Sequence, residues 1–314
     1  MHLANDTKIL VTGGAGFLGK NIVKQLIRSG AMESNIFVPR SGNCDLRILS
    51  NCERVVSNQD LVIHCAGLVG GIEFNRRYPG RIFHDNATMG INLIDAAYKA
   101  NVKKFVMIGS VCEYPKNSPI PFMEKDIWDG YPEETNAAYG LAKKMTLAHG
   151  QAYKQQYGFN VIHLLLANLY GPGDNFDPVL GHGMSAQIHR VYKAKNEGIP
   201  KIKTWGTGTN TREFVYVEDA AEGVVLATQH YNDIRPLNIG GHTEISMKEL
   251  MALICKIMDY CGEIEWDTTM PDGQARRKIS TNRARDEIGF VANTELQKGL
   301  KKTIEYYLED IAKK

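Results

Sequence analysis

Tyr139 and Lys143 stand four residues apart in the run T-N-A-A-Y-G-L-A-K. On a helix, positions i and i+4 share one face. An ammonium beside a phenol favours the phenolate, so such a pair can give or take a proton near neutral pH. Ser110 comes just after a β-rich run, Lys104–Ile108. The carboxyl end of a strand in a parallel sheet is where ligands bind, and a hydroxyl there can hydrogen-bond a reacting oxygen. The third signal is Gly13-x-x-Gly16-x-x-Gly19, between the run Ile9–Thr12 and a helical stripe. Glycines so placed give a tight turn, a close backbone approach and close helix–strand packing, with a dinucleotide pyrophosphate at the helix N-terminus. Singly, the signals have plainer explanations, a surface Tyr–Lys pair and an ordinary βα turn. In this order and together they are specific for a bound dinucleotide beside a proton donor.

The second strand, Ile36–Val38, runs into Pro39-Arg40-Ser41. NAD binders usually place an acidic side chain at this point for the ribose 2′-hydroxyl. An arginine beside a hydroxyl suits a 2′-phosphate instead, so NADP(H) is favoured over NAD(H). An exposed loop arginine is the alternative. Asp45 is expected at the adenine edge, and Phe17, Leu18, Leu46, Ala66 and Gly67 complete the expected cofactor contacts. No metal site is expected.

The elements that must position these groups alternate in the first half of the chain. Strands are expected at Lys8–Thr12, Ile36–Val38, Asp60–Cys65, Lys104–Ile108 and Asn160–Leu166, with helices at Asn21–Arg28, Gly90–Tyr98 and about Ala138–Tyr157. Such alternation is the sequence form of a parallel sheet with crossover helices. Beyond Asn168 the texture changes: Gly and Pro crowd into Tyr170–Gly183, Leu237–Ile239 returns to the sheet, and Ser246–Cys261, Asn282–Ile288 and Thr294–Leu308 read as helices. The expected fold is α/β, a Rossmann-type doubly wound parallel sheet with a smaller C-terminal substrate-binding lobe. Residues 1–168 with about 212–240 would form the dinucleotide-binding domain, and about 169–211 with 241–314 the interleaved lobe.

Composition bounds the partners. Of 314 residues, 43% are hydrophobic and 23% charged, which excludes a disordered or fibrous chain. Lys and Arg number 37 against 35 acidic residues, a net +2 that gives no reason to expect nucleic acid or an anionic membrane. No apolar run approaches the roughly 18 residues of a membrane span. The polar start, Met1–Thr7, does not read as a secretory leader. The six cysteines (Cys44, Cys52, Cys65, Cys112, Cys255, Cys261) are scattered without a C-x-x-C pair. Free thiols in a cytoplasmic protein are expected.

Five longer segments carry a resemblance: V-G-G-I-E-F-N-R-R-Y-P from Val69, G-S-V-C-E-Y-P from Gly109, N-L-Y-G-P-G-D-N-F-D-P from Asn168, W-G-T-G-T-N-T-R-E-F from Trp205 and P-D-G-Q-A-R-R-K from Pro271. With the glycine loop, Ser110, Tyr139 and Lys143, the chain resembles the extended short-chain dehydrogenase/reductases, the sugar-nucleotide epimerase/dehydratase group. Within that group it is similar to the 3,5-epimerase/4-reductases of GDP-4-keto-6-deoxymannose. The resemblance implies a GDP-sugar substrate, with C3 and C5 epimerised and C4 then reduced. It gives Cys112 and His182 the work of base and acid in epimerisation; an inert thiol and a loop histidine are the plain alternatives. It implies Arg190, Arg212 and Lys278 as cationic substrate contacts, Asn136 and Asn168 as amide contacts, and Trp205 as a wall of the sugar site. A homodimer through the helix of Tyr139 and Lys143 is also implied. The family's 4,6-dehydratases carry an Asp-Glu pair where this chain has Val111 and Cys112, so that mechanism lacks its acid. Glu113 stands where the group usually has an apolar residue. Two other enzyme readings stay open, an NAD-dependent nucleotide-sugar 4-epimerase and an enzyme for a related GDP-keto sugar such as a heptose. A non-catalytic cofactor-binding protein is the reading outside enzymes.

Overall fold

The computed structural model describes residues 1, 3, 5–177, 181, 183–270 and 272–311. Its first half alternates strand and helix: β1 (Ile9–Thr12), α1 (Phe17–Arg28), β2 (Ile36–Phe37), α2 (Leu49–Val56), β3 (Leu61–His64), α3 (Ile72–Arg77), α4 (Pro79–Lys99), β4 (Lys104–Ser110), α5 (Ala137–Tyr157) and β5 (Val161–Leu166). The strands β1, β3 and β5 are mainly aliphatic and buried along their whole length, as parallel strands covered on both faces must be. Helix α4 starts at Pro79, a residue suited to a first turn, so the expected helix at Gly90–Tyr98 is only its second half.

The second half supplies β6 (Asn168–Tyr170), α6 (Gly183–Asn196), β7 (Lys201–Trp205), β8 (Thr211–Tyr216), α7 (Val217–His230), β9 (Leu237–Ile239), β10 (Glu244–Ser246), α8 (Met247–Ile257), β11 (Glu263–Asp267), β12 (Arg276–Arg277), α9 (Asn282–Ile288) and α10 (Leu296–Tyr306). The main sheet has the order β2-β1-β3-β4-β5-β9, all parallel. It is Rossmann-like and doubly wound. Along β1, Ile9 and Val11 cluster with Ile22 and Leu26 of α1, while Leu10 clusters with Cys52 and Val55 of α2. Helices α1 and α7 therefore cover one face, and α2, α4 and α5 the other.

A second sheet, β10-β8-β12 with β6 beside β8, stands over the carboxyl ends of the main strands. Its own core gathers Tyr170, Ile188, Phe214, Leu250, Ile254 and Leu300. The chain's expected return to the cofactor domain near residue 212 comes later in the structure. Strand β8 belongs to the lobe, and α7 makes the crossing. Ala284 and Ile288 of α9 join the core of the main sheet, so that part of the C-terminal region covers the first domain too. Among the described residues no helix is long and apolar enough to cross a membrane.

Candidate active site

One cleft of about 1500 Å³ runs from the glycine loop, along the carboxyl ends of β1, β3 and β4, into the lobe. Its floor at the β1–α1 turn fits a dinucleotide. Gly13 adopts φ +70°, and a Cβ at Gly19 would lie 2.2 Å from the Gly13 carbonyl oxygen, so only glycines let α1 seat against the turn. The N-cap of α1, Gly16, has no side chain to cap with, so the first-turn N–H groups are left for an anion. Behind the loop, buried Thr12 Oγ1 and His64 Nδ1 are hydrogen-bonded at 2.7 Å. Burial and then the charge of Lys143 pull His64 down to about 3, so this ring is neutral.

Phe17, Leu18, Arg40, Leu46, Ala66 and Gly67 all line the cleft. Asp45 lines it as well, but its carboxylate is already gripped by Arg47, through Nε at 2.9 Å and Nη2 at 2.7 Å. Those hydrogen bonds hold the Asp45 carboxyl at about 2. Arg47 Nη1 also reaches Asp85, at 3.0 Å.

The proton-handling groups meet on the opposite wall. Strand β4 ends at Ser110, which caps the 3-10 turn Val111–Glu113. Ser110 Oγ accepts the Cys112 N–H at 3.2 Å, which leaves its own O–H free to donate into the cleft. Helix α5 comes close because residue 140 is glycine: a Cβ there would lie 2.2 Å from the Cys112 carbonyl oxygen. This approach brings Tyr139 and Lys143 to Ser110. Lys143 Nζ donates to the Ile108 carbonyl at 3.0 Å and lies 5.9 Å from the Tyr139 ring centre. Desolvation pushes the Tyr139 phenol up, and the nearby Cys112 and Glu113 push it further. Burial draws Lys143 down, with Glu113 and Cys65 opposing. A neighbouring Lys143 favours a phenolate, but in the protein alone desolvation dominates, so Tyr139 rests as a phenol, the form that donates a proton.

The lobe brings arginines to the third wall. Arg277 is buried at 7% exposure and its Nη1 lies 3.6 Å from Cys112 Sγ. Among the described residues Arg212 bonds only backbone carbonyls, of Thr211 at 2.7 Å, Gln274 at 2.6 Å and Asp272 at 3.3 Å. Burial, then the charge of Arg277, pulls Arg212 down to about 10. Arg190 also lines the cleft, and burial lowers it. None of the three meets a carboxylate within salt-bridge distance among the described residues. Uncompensated cations of this kind await an anion.

The remaining expectations fall as follows. Asn136, Asn168 and Trp205 line the cleft. Asn136 Oδ1 accepts from Asn75 Nδ2 at 3.0 Å, and Asn168 Nδ2 donates to the Glu213 carbonyl at 2.8 Å. Lys278 is a correction. It lies off the cleft, 4.0 Å from Glu244, and Arg277 takes the inward position. The cause is strand alternation: Arg276 also meets Glu244, at 2.5 Å, so 276 and 278 share the outer side. His182 lies outside the described residues. Sequence reasoning missed Arg277 and Asn75, and the period-2 rule applied to R-R-K would have raised the first.

A model of the NAD dependent epimerase/dehydratase family matches residues 9–240. The probable GDP-L-fucose synthase 1 of Oryza sativa is 34% identical over 97% of this chain and 93% of that protein. Among solved structures, a GDP-6-OMe-4-keto-L-xylo-heptose reductase from C. jejuni superposes with a TM-score of 0.90 at 25% identity, over 97% of this chain and 98% of that one. A GDP-L-fucose synthetase from Naegleria fowleri bound to NADP gives 0.87 at 26% identity, over 98% and 96%.

Proposed function

We propose a function from the premise that this chain belongs to the NAD dependent epimerase/dehydratase family. It is an NAD(P)-dependent enzyme, an epimerase/reductase of a GDP-4-keto sugar, in first place a 6-deoxyhexose. C3 and C5 are epimerised and C4 is then reduced. One observation carries the reading: Ser110, Cys112, Tyr139 and Lys143 share a cleft with Arg190, Arg212 and Arg277, which have no acidic partner among the described residues. The names of the relatives and of the solved structures agree with it.

When bound, the dinucleotide would supply hydride for C4. The glycine loop and the α1 N-terminus would hold its pyrophosphate, and Lys143 would orient the ribose on the nicotinamide side. We take the form to be NADPH, with Arg40 reading the 2′-phosphate. The arginines grip the substrate diphosphate, a bidentate task that suits guanidinium. The 4-keto group acidifies C3 and C5. Cys112 removes a proton from one face, and His182, placed by resemblance, delivers one to the other. The Ser110 hydroxyl donates to the C4 oxygen through both stages. Tyr139 would give its phenolic proton to the C4 oxygen as the carbonyl is reduced. The main-sheet unit, with α7, β9 and α9, would hold the cofactor, and the lobe the GDP sugar. A homodimer through α5 is part of the proposal.

The test is incubation with GDP-4-keto-6-deoxymannose and NADPH in deuterated water. Loss of NADPH absorbance with deuterium at C3 and C5 is expected. Deuterium-free product would remove the epimerase half, and no net NADPH loss would point to a 4-epimerase.

A further inference from the structure

Behind the turn that carries Ser110 and Cys112 lies an acid with no part in the steps above. Glu113 has a fully buried side chain at 0% exposure, and His163 of β5 is at 3%. His163 Nε2 lies 3.0 Å from both carboxylate oxygens of Glu113. Glu113 Oε1 also accepts the Ser110 N–H at 2.8 Å. With Ser110 Oγ accepting from Cys112, this closes a capping box around the turn. There is no slack: a Cβ at Gly109 would lie 2.3 Å from His163 Nε2 and 2.4 Å from Glu113 Oε1.

Hydrogen bonding assigns the charge. His163 Nδ1 is buried and has no partner among the described residues. An imidazolium would bury that N–H unpaired, whereas a neutral ring with its proton on Nε2 does not. The pair is therefore a neutral imidazole donating to a carboxylate, with one net negative charge in the interior. Tyr139, Lys143 and Lys144 face it from α5. Cys112 and Tyr114 flank it on its own turn. His64 of β3 and Cys65 just after it lie beyond, against Lys143. Arg277 reaches Cys112 from the lobe. Burial works against both lysine ammoniums, and Glu113 is the largest influence opposing it at each.

We propose that Glu113, clamped by His163, is a positioning residue: it fixes the turn bearing Ser110 and Cys112 and supplies the buried charge that keeps Lys143 an ammonium. The inference rests on the functional reading above only where turnover is measured.

Glu113→Gln keeps the size and an acceptor for the Ser110 N–H but removes the charge. The double variant Glu113→Leu/His163→Leu replaces the pair by apolar side chains, a change that buried pairs often tolerate. In ligand-free protein carrying 13C-lysine, the Lys143 Cε resonance, assigned by its loss in Lys143→Arg, is followed against pH. Its midpoint should fall by about one pH unit in both variants. In turnover, the alkaline limb of kcat should move down with it, while KM for the GDP sugar stays within about twofold. An unmoved midpoint in either folded variant overturns the proposal. Should Glu113→Gln not fold, the double variant carries the measurement, and failure of both to fold overturns the charge role in favour of a purely structural one. Wild-type protein that does not turn over the keto sugar refutes the functional reading, while a fall in the midpoint still supports this one.

Discussion

At Ser110 a single hydrogen bond decides what the hydroxyl can do. Because its oxygen accepts from Cys112, its proton is directed outward, where a carbonyl oxygen can take it. Tyr139 is the proposed complement, a phenol that desolvation keeps protonated. Tyr139→Phe removes that one proton and little else. Reduction should drop by about 10²–10⁴-fold with NADPH binding intact, and unchanged single-turnover hydride transfer would refute the role. That Ser110, Tyr139 and Lys143 share one cleft was legible in the sequence because their spacing is local, four residues on one helix and one residue past a strand. Arg277 was not, because β12 is too short to be recognised as a strand, and alternation can be applied only once it is. The structure makes a contrast that the sequence could not. Arg277→Ala should raise KM for the GDP sugar about tenfold to a hundredfold by removing a buried cation from the cleft. Lys278→Ala, beside Glu244 and off the cleft, should change it less than about twofold. Equal effects in steady-state kinetics would show that the strand presents the other face.

The main sheet announced itself because its strands are short, largely apolar runs buried on both faces, which a doubly covered parallel sheet makes comfortable. The lobe's strands did not, since β7 alternates exposed and buried over five residues and β12 has two. Their partners come from far along the chain, β7 with β11 and β8 with β12. No local pattern encodes those pairings. The β1–α1 unit is the opposite case, where one missing side chain sets the geometry. In Gly19→Ala the new methyl would press on the Gly13 carbonyl at 2.2 Å, backbone that cannot swing aside. Helix α1 must then move away from the turn, and its N–H groups from the pyrophosphate. Loss of NADPH affinity by about tenfold or more is expected, read by fluorescence titration, with a lowered Tm. A variant that binds NADPH as the wild type does would mean that the cradle has room.

The joint between the two sheets holds a second buried acid, and it ties the stability of the whole molecule to pH. Glu213, 1% exposed on β8, accepts the Ile279 N–H at 2.8 Å from the segment after β12. The Gly241 N–H, in the turn between β9 and β10, also favours the charged form. Three stretches distant in sequence thus converge on one carboxyl, at the place where the chain passes between domain and lobe. Burial, which outweighs the influence of both N–H groups, pushes it from 4.5 up to about 7. Below 4.5 both folded and unfolded chains carry the proton. Between 4.5 and about 7 the folded chain keeps a proton that the unfolded chain has lost, so this group's contribution to stability falls as pH rises through that window. Above about 7 the loss is complete and constant. Glu213→Gln retains an acceptor for Ile279 and does not titrate. Relative to the wild type, its Tm should therefore climb from pH 4.5 to pH 8, by about 5 °C for a shift of this size. Calorimetry of the pair across that range gives the answer. Parallel Tm curves would mean that Glu213 folds already ionised, with the two N–H groups sufficient to hold its charge in the interior.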